Sequence, residues 1–486
     1  MVIRGADFGE AIRRSLRWKL ADQFEISSPN RGIVGGAVPH LAPELQTGRD
    51  EAARRLGPPS AHLPESVLAG AARAVGGRVA TGTSGAVILV DRHYAASERH
   101  GRVPIGTVMS TLLGGQEALR VLTRAWPASA RGPTGPSDAS HLATGAERVS
   151  GVWFLDLETT GLAGGAGTHA FLVGCAHLEA GGLSVRQFLL PGYEHERALL
   201  AEVAGWAASR GALVTFNGKS FDVPLIETRY LFHRVPFPLD TTSHVDMLHP
   251  ARRLWRARGA VQGSLEANCS LGTLERLLAG VHRVGDVPGF EIPSRYFQFV
   301  RSGDAHPLEA VLEHNRLDLV SLAMVLARVL TLVERGPAAT ADPYECLGLA
   351  RLYDRAGRAD DADAAYVRAI ERLEHVGRDP ESCGEALRRL AWCRRRAGRA
   401  ADATDAWQRL ADLPRCPPAL RREAREALAI HHEHRARDLE QARAHAERLL
   451  TEQPGGRWRE AAEHRLRRIE RKLERQRPPA GLWPEV

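Results

Sequence analysis

The chain has 486 residues, a length that allows about three domains. Its residues are 44% hydrophobic and 25% charged, which is typical of a globular protein. Its formal net charge of +7 comes with many more arginines than lysines, which permits a polyanionic partner but does not require one. No apolar run approaches the roughly 20 residues that a membrane span needs. Six cysteines without C-x-x-C spacing argue against a zinc site or a disulfide framework, and favour a cytoplasmic location.

The N-terminal region, residues 1–150, is expected to be poorly defined and partly disordered. Residues 8–24 predict a basic amphipathic helix that docks on its own domain, with a membrane surface as the alternative. Residues 27–64, rich in proline, glycine and charge, predict loop or disorder. A small β-hairpin is predicted over residues 79–90. A second segment rich in proline and glycine, residues 127–151, predicts a domain boundary.

The central region, residues 151–335, alternates strand-like and helix-like patterns, which indicates an α/β domain. Strands are predicted at residues 152–157, 169–178, 183–190, 212–216 and 245–247. Helices are predicted at residues 194–209, 222–232, 271–278 and 307–333. Three successive strands followed by helices that alternate with shorter strands favour a mixed five-stranded sheet with flanking helices, as in ribonuclease H.

Two carboxylates, Asp156 and Glu158, end the first apolar strand of this domain. Side chains two apart on a strand share one face, so both acids project together while Leu155 and Leu157 pack on the other side. Two like charges held side by side are costly unless a cation compensates them, and oxygen ligands suit Mg²⁺ or Mn²⁺. The alternative is that the pair ends an exposed strand at the turn that follows.

A third carboxylate, Asp222, falls in the first turn of a predicted helix, after a turn made by Asn217 and Gly218. The helix dipole favours a carboxylate there, so a simple helix cap is the alternative to a metal ligand. On the last predicted helix, His314 and Asp318 are four residues apart and share one face. A solvated pair is the alternative interpretation of these two side chains.

The joint pattern resembles the DEDD exonucleases, and more closely the bacterial YprB-type family of ribonuclease-H-like predicted exonucleases. The resemblance covers about residues 150–330 and rests on four segments in the expected order. They are FLDLETTGL (154–162), NGKSFD (217–222), DVPG (286–289) with IP (292–293), and HNRLD (314–318).

The resemblance implies roles for five of these residues. The four metal-binding carboxylates would be Asp156, Glu158, Asp222 and Asp318, which would hold two Mg²⁺ or Mn²⁺ ions, and His314 would be the general base. The family's histidine subclass places that residue five positions before the last aspartate, and its tyrosine subclass places the tyrosine four before. Here a histidine occupies the four-before position. The reaction implied is 3′→5′ hydrolysis of phosphodiester bonds in DNA or RNA.

Residues that hold the nucleic-acid backbone are expected to be basic, polar or aromatic. The candidates are Thr159, Lys219 and the cluster Arg252, Arg253, Arg256 and Arg258 with Trp255. A solvated loop is the alternative for that cluster. Asp246 is a further acid on a short strand, and capping the turn that follows explains it equally well.

The C-terminal region, residues 342–486, predicts helices with an internal repeat. The sequence RAGR at residues 355–358 recurs at residues 396–399, and Tyr366 corresponds to Trp407 at the same offset. A weaker third copy ends in residues 442–450. Such helix pairs resemble tetratricopeptide repeats and stack into a surface for a protein partner, or else stabilise the enzyme domain.

Two other functions use the same residues. One is a scaffold with a nuclease fold that binds nucleic acid or protein without cutting it. The other is an endonuclease on branched or hybrid substrates, since the fold and its acids do not distinguish exonuclease from endonuclease action.

Overall fold

The structure is a computed structural model that describes residues 63–125, 152–161, 167–208, 210–239, 243–262, 269–377, 379–452 and 457–476. The helix predicted at residues 8–24 and the linker predicted at residues 127–151 lie outside these ranges. No helix within them is both long enough and apolar enough to cross a bilayer.

A seven-stranded mixed sheet forms the centre of the described chain. The strands of the described ranges are β1 (Arg78–Gly82), β2 (Gly85–Ala95), β3 (Arg99–His100), β4 (Val103–Pro104), β5 (Trp153–Thr159), β6 (Ala170–Glu179), β7 (Gly182–Leu189), β8 (Leu213–Thr215) and β9 (His244–Asp246). The sheet has the order β1-β2-β7-β6-β5-β8-β9, and β3 pairs with β4 separately. Along this order, neighbouring strands pair antiparallel from β1 through β2, β7 and β6 to β5, whereas β5, β8 and β9 are parallel to one another.

The five strands predicted for the central domain are all present as β5 to β9, which confirms the ribonuclease-H-like α/β fold. The hairpin predicted within the N-terminal region adds two more strands to the same sheet. Strand β2 is longer than predicted and pairs with β7 from Ile88 opposite Leu189 to Ala95 opposite Gly182. The hairpin therefore covers an edge that β7 would otherwise expose.

Helices cover both faces of the sheet and continue beyond it. Those before the C-terminal region are α1 (Glu65–Ala74), α2 (Ile105–Gly114), α3 (Gln116–Ala125), α4 (Glu196–Ala207), α5 (Asp222–His233), α6 (Leu248–Gln262), α7 (Leu271–Ala279), α8 (Ile292–Ser302) and α9 (His306–Arg335). The four helices predicted from periodicity correspond to α4, α5, α7 and α9.

Helix α9 passes from one hydrophobic core to the other. Its first turns, with Leu308 and Leu312, belong to a core that includes Leu155 and Leu157 of β5. Its later turns, from Leu319 onward, belong to a second core on the opposite face of the sheet. The intervening stretch, residues 313–318, crosses the end of β5, where the carboxylates lie.

The α-helices in the described part of the C-terminal region are α10 (Pro343–Arg355), α11 (Ala359–Val376), α12 (Pro380–Arg396), α13 (Ala400–Asp412), α14 (Pro418–His431), α15 (Leu439–Glu452) and α16 (Arg457–Gln476). Each helix packs against the next. In both copies of the repeat a glycine with positive φ joins the two helices, Gly357 at 75° and Gly398 at 78°. Tyr366 and Trp407, at matching positions, are both buried.

Candidate active site

The first pair of carboxylates lies at the end of the central strand β5. Leu155 and Leu157 are buried, whereas Asp156 and Glu158 are half-buried on the opposite face. The period of two therefore places both acids on one side, as the sequence predicts. A register irregularity between Glu158 and Thr159 ends the regular pairing with β6. The two carboxylates therefore lie where the regular pairing of β5 with β6 ends.

Asp222 is the first residue of α5, after a turn in which Asn217 adopts a left-handed φ of 66°. Asp246 organises this turn from the neighbouring strand β9. Its carboxylate accepts hydrogen bonds from the backbone N–H groups of Asn217 at 2.7 Å, Lys219 at 3.1 Å and Leu248 at 3.0 Å. Asp246 is therefore a buried structural acid that positions Asp222, in agreement with the capping explanation.

The third component is a chain of charged groups on α9 and the loop before α8. His314 and Asp318 share a face of α9, with Nε2 of His314 3.7 Å from Asp318 Oδ2. Nδ1 of His314 lies 2.6 Å from Asp286 Oδ1. Arg283 donates a 2.6 Å hydrogen bond to Asp318 and a 2.7 Å hydrogen bond to the buried Glu275.

Burial raises the pKa of the carboxylates in this region, and the charges of nearby acids raise it further. Burial raises the pKa of Asp156, and the negative charges of Asp318, Glu158 and Asp222 raise it further. Burial, followed by the charges of Asp318, Asp222 and Asp286, raises the pKa of Glu158 to about 8. Burial and then the charge of Asp246 raise the pKa of Asp222 to about 7. The structure therefore brings β5, α5 and α9 together so that their acids share one region.

These acids suit a cation chemically, although they do not already form a closed ligand set. Within the described ranges, no three histidine, cysteine or acidic side chains surround a single point as metal ligands. Arg283 holds Asp318, while Glu158 has no hydrogen bond or ion pair with another described residue. Carboxylate oxygens that are partly desolvated and repel each other are the donors that hard divalent cations prefer. The residues present therefore fit a divalent metal.

A buried polar network fixes Asp156 from above the sheet. The Asn315 side-chain amide donates to Asp156 Oδ2 at 2.8 Å and to its backbone carbonyl at 3.2 Å. Gln187 of β7 in turn donates to Asn315 Oδ1 at 2.8 Å. Gly174 stands between Asp156 and Gln187 in the strand register, and a Cβ at Gly174 would lie 2.1 Å from Asn315 Oδ1. Glycine is needed there because Asn315 occupies that space.

Comparisons with known proteins identify the family of the segment that carries these acids. A family model described as the RNase H superfamily matches residues 153–330, which contain all four acids. An uncharacterized protein of Bacillus subtilis (strain 168), YprB, is 32% identical over 308 residues, covering 62% of this chain and 69% of that protein. The chain belongs to the RNase H superfamily.

One solved structure, the crystal structure of BtubC (BKLC) from P. vanneervenii, aligns with 48% of this chain and 97% of that chain. The sequence identity is 15% and the TM-score 0.24, which is too low to support an inference. RNase H-like nucleases act on nucleic acid and generally use divalent metal ions, so membership of the RNase H superfamily is consistent with a nuclease.

The sequence did not assign a role to Asn315, Asp286 or Arg283, which contact the predicted site residues of this RNase H superfamily member. Asn315 and Asp286 lie inside two of the segments that carry the family resemblance, so their positions were available. The contacts of these residues could not be predicted, because Asn315 bonds Asp156, 159 positions away, and Asp286 contacts His314, 28 positions away.

Two predicted nucleic-acid contacts, Thr159 and Lys219, flank the acids. The Thr159 hydroxyl donates to the Gly161 carbonyl at 2.9 Å, so it helps to shape the turn after β5. Lys219 is partly buried in the turn before α5, and burial lowers the pKa of its ammonium group. Both remain predictions as nucleic-acid contacts.

The predicted arginine cluster lies on helix α6, so the alternative of a solvated loop is wrong. Arg252 and Arg256 are exposed and both lower the pKa of the buried Cys269 thiol, which burial raises. Arg253 lies on a different face, toward the C-terminal helices, and Arg258 lies where no side chain is described. Trp255 is buried, and its indole donates to Glu345 at 2.7 Å. The tryptophan is therefore not available to stack on a base.

Proposed function

We propose that this protein is a metal-dependent nuclease that hydrolyses DNA or RNA, most specifically as a 3′→5′ exonuclease releasing nucleoside 5′-monophosphates. One observation carries the proposal. Burial together with the charges of acids on α5 and α9 raises the pKa of both Asp156 and Glu158, within the segment that matches the RNase H superfamily. Negative charge concentrated around these two carboxylates favours a site for cations.

Asp156, Glu158, Asp222 and Asp318 would hold two Mg²⁺ or Mn²⁺ ions. Bound cations of this kind supply an activated water and stabilise the charge that develops on the phosphodiester. The chain itself supplies the placement. Asn315 fixes Asp156, and Asp246 fixes the turn that presents Asp222. Asp318 is held by Arg283, which keeps its carboxylate oriented toward His314.

His314 is proposed as the group that takes a proton from the attacking water. In the tautomer whose Nδ1–H donates to Asp286, the Nε2 atom is the acceptor, on the side of Asp318. Asp286 is then a positioning residue, since it sets the tautomer and the orientation of the ring. The position of the histidine, four residues before Asp318, keeps both groups on one face of α9.

Nucleic acid is the partner that this chemistry requires, and the cytoplasm is the proposed location. All six cysteines are free and buried, as expected of a protein kept in a reducing compartment.

The direct test is incubation of the purified protein with 3′-labelled oligonucleotides and Mn²⁺. The expected result is release of labelled mononucleotide at a rate far above that of an Asp156→Asn variant. Equal release by the two proteins would overturn the proposal.

Two further measurements distinguish the alternatives. A circular single-stranded substrate should remain intact, and internal cleavage would instead indicate an endonuclease. Titration calorimetry should detect Mn²⁺ uptake that Glu158→Gln reduces. A protein that takes up no Mn²⁺ and still binds oligonucleotides would be a scaffold.

A further inference from the structure

The short β3–β4 hairpin precedes the segment that matches the RNase H superfamily, and it docks on the C-terminal end of α7. The guanidinium group of Arg102 donates to the carbonyl oxygens of Leu278 at 2.9 Å and Leu277 at 2.6 Å. The backbone N–H of Arg102 donates to the Ala279 carbonyl oxygen at 2.9 Å. The last carbonyl groups of a helix have no partner within it, so the hairpin satisfies them and is fixed in place by them.

This docking places His100 of β3 beside Glu275 of α7. Both residues are buried, Glu275 with only 1% of its surface exposed. Nε2 of His100 lies 2.8 Å from Glu275 Oε1 and 2.9 Å from the Ser321 hydroxyl oxygen. The Ser321 hydroxyl donates to the same glutamate oxygen at 2.9 Å. One oxygen of Glu275 is therefore held by the hairpin and by α9.

The other oxygen of Glu275 is held by Arg283, which connects it to the acid site. Nε of Arg283 donates to Glu275 Oε2 at 2.7 Å, and Nη2 donates to Asp318 Oδ1 at 2.6 Å. Nη1 lies 3.5 Å from Asp286 Oδ2, and Asp286 is the residue that contacts His314. Direct contacts therefore run without a gap from the β3–β4 hairpin to Asp318, a proposed metal ligand.

The charges along this chain of contacts alternate. Burial would raise the pKa of Glu275, but the hydrogen bond with His100 and the charge of Arg283 lower it. The ionised glutamate offsets the positive charge of Arg283. The arginine can therefore hold Asp318 through a hydrogen bond while much of the negative charge that attracts a cation is kept.

A buried ion network of this kind can also serve only to join helices. Two observations favour a role at the site. His100 and Ser321 already bind Glu275, so a network that served α7 alone has no need to extend to Asp318. In the described part of the chain, Arg283 is the only hydrogen-bond donor to Asp318, and it uses one carboxylate oxygen. Oδ2 of Asp318 stays on the side of His314.

We propose that His100, Glu275 and Arg283 are positioning residues of the acid site, and that the β3–β4 hairpin belongs to the catalytic unit. This assignment rests on the proposed nuclease function. The three residues fix Oδ1 of Asp318 and leave Oδ2 for a cation. Hydrogen bonds to carboxylate ligands orient metal sites, and their loss typically costs about 10- to 100-fold in metal affinity or activity.

The experiment uses the full chain and measures Mn²⁺ uptake by titration calorimetry, hydrolysis of a 3′-labelled oligonucleotide, and thermal melting. The test variants are His100→Ala and Glu275→Gln. His100→Ala is also combined with Arg283→Gln, which interrupts the chain of contacts. Arg283→Lys, which keeps a positive charge opposite Glu275, replaces Arg283→Gln if that variant does not fold.

The matched controls are His306→Ala and Glu371→Gln. His306 and Glu371 are exposed, and each forms a local ion pair, His306 with Asp304 and Glu371 with Arg368. Both controls should bind Mn²⁺ and hydrolyse the oligonucleotide as the wild-type protein does.

Each test variant should bind Mn²⁺ about tenfold more weakly than its control and hydrolyse the oligonucleotide about tenfold more slowly. When Arg283→Gln is already present, His100→Ala should cause no further loss, because His100 acts through Arg283. His100→Gln should restore much of the loss, because its amide can donate to Glu275 in place of the imidazole. A role limited to stability would lower the melting temperature without this dependence on Arg283.

Test variants that match their controls in Mn²⁺ affinity and rate would overturn the assignment and leave the nuclease function standing. So would a loss from His100→Ala that is equally large with and without Arg283→Gln. Wild-type protein that takes up no Mn²⁺ would instead overturn the proposed metal-dependent function, and the positioning role with it.

Discussion

Two glutamates of the same domain, Glu196 and Glu158, are both shielded from water, but their pKa values shift in opposite directions. Glu196, at the start of α4, is 2% exposed and receives a 2.6 Å hydrogen bond from Arg229 Nε. His233 Nε2 lies 2.7 Å from its other oxygen. Burial alone would raise its pKa, but hydrogen bonds from His169, Arg229 and His233 lower it to about 2. Glu158 has no such partners, and its pKa rises to about 8.

The difference separates a carboxylate that the fold neutralises from the one proposed as a metal ligand. A buried charge is stable only when a partner neutralises it, and the fold supplies that partner for Glu196. For Glu158, the fold supplies the negative charges of Asp318, Asp222 and Asp286 instead. The partner must therefore come from outside the chain, which is the physical basis for proposing a metal site at one glutamate and not at the other.

The comparison is tested most strongly by removing one acid of the proposed metal site. Asp156→Asn should lower the rate of phosphodiester hydrolysis on the order of 10⁴-fold, or about 5 kcal/mol in activation free energy. Metal-free melting should not fall, because repulsion with the other acids is removed. Asp360→Asn, at a fully solvated aspartate on α11, should keep the wild-type rate. A rate for Asp156→Asn within tenfold of wild type would contradict the role given to this residue.

The corresponding change at the structural carboxylate should act on stability instead. Glu196→Gln removes the carboxylate charge that pairs with the buried Arg229, so the free energy of unfolding should fall by about 3–5 kcal/mol in urea denaturation at pH 7. Because the pKa of Glu196 is lowered in the folded state, the loss should shrink as the pH falls below about 4 toward 2. A variant as stable as the wild type at pH 7 would show that the ion pair contributes nothing.

A smaller effect is expected at the glycine beneath Asn315. Gly174→Ala forces a Cβ against Asn315 Oδ1, so it should destabilise the protein by about 1–3 kcal/mol and displace Asp156, with a lower hydrolysis rate. Combining it with Asn315→Ala removes the clash. The double variant should therefore be more stable than the sum of the two single changes predicts, as measured in a double-mutant cycle. Simple additivity would mean that the two residues do not compete for the same space.

The smallest expected effect concerns pH. The raised pKa of Glu158 means that the folded protein holds a proton which the unfolded chain releases near its ordinary pKa. The metal-free protein should therefore lose stability, on the order of 1 kcal/mol after solvent screening, as the pH rises from about 5 to about 8. Added Mn²⁺ should stabilise it more at the higher pH, because ligation requires the ionised carboxylate. Glu158→Gln should flatten the metal-free pH dependence, and an unchanged profile would contradict the assignment.

Local periodicity predicted much of the fold and part of the site. The apolar run before Asp156 predicted β5, and the two-residue spacing predicted that Asp156 and Glu158 share a face, since strand geometry depends only on neighbouring residues. The turn at Asn217 and Gly218 predicted the start of α5 at Asp222 for the same reason. The family resemblance, rather than periodicity, assigned these acids a common role.

Contacts between distant residues were not predictable in this way. The hairpin of β1 and β2 was recognised, but its pairing with β7 across about 90 residues was not. No helix was predicted at α6, where a solvated loop was the alternative considered. Trp255 of this helix was expected to contact nucleic acid, but it packs against α10. Periodicity shows that a residue has a buried face without showing which element covers it.

The amino-acid sequence by itself determined the five strands and four of the helices of the central domain, the faces of β5, and the identity of the acids at the end of that strand. Only the tertiary structure decided that Asn315 bonds Asp156, that His314 lies against Asp286, and that Trp255 bonds Glu345 of the C-terminal helices. The reason is that hydrogen-bond geometry and charge compensation depend on distances between elements, and the folded packing alone sets those distances.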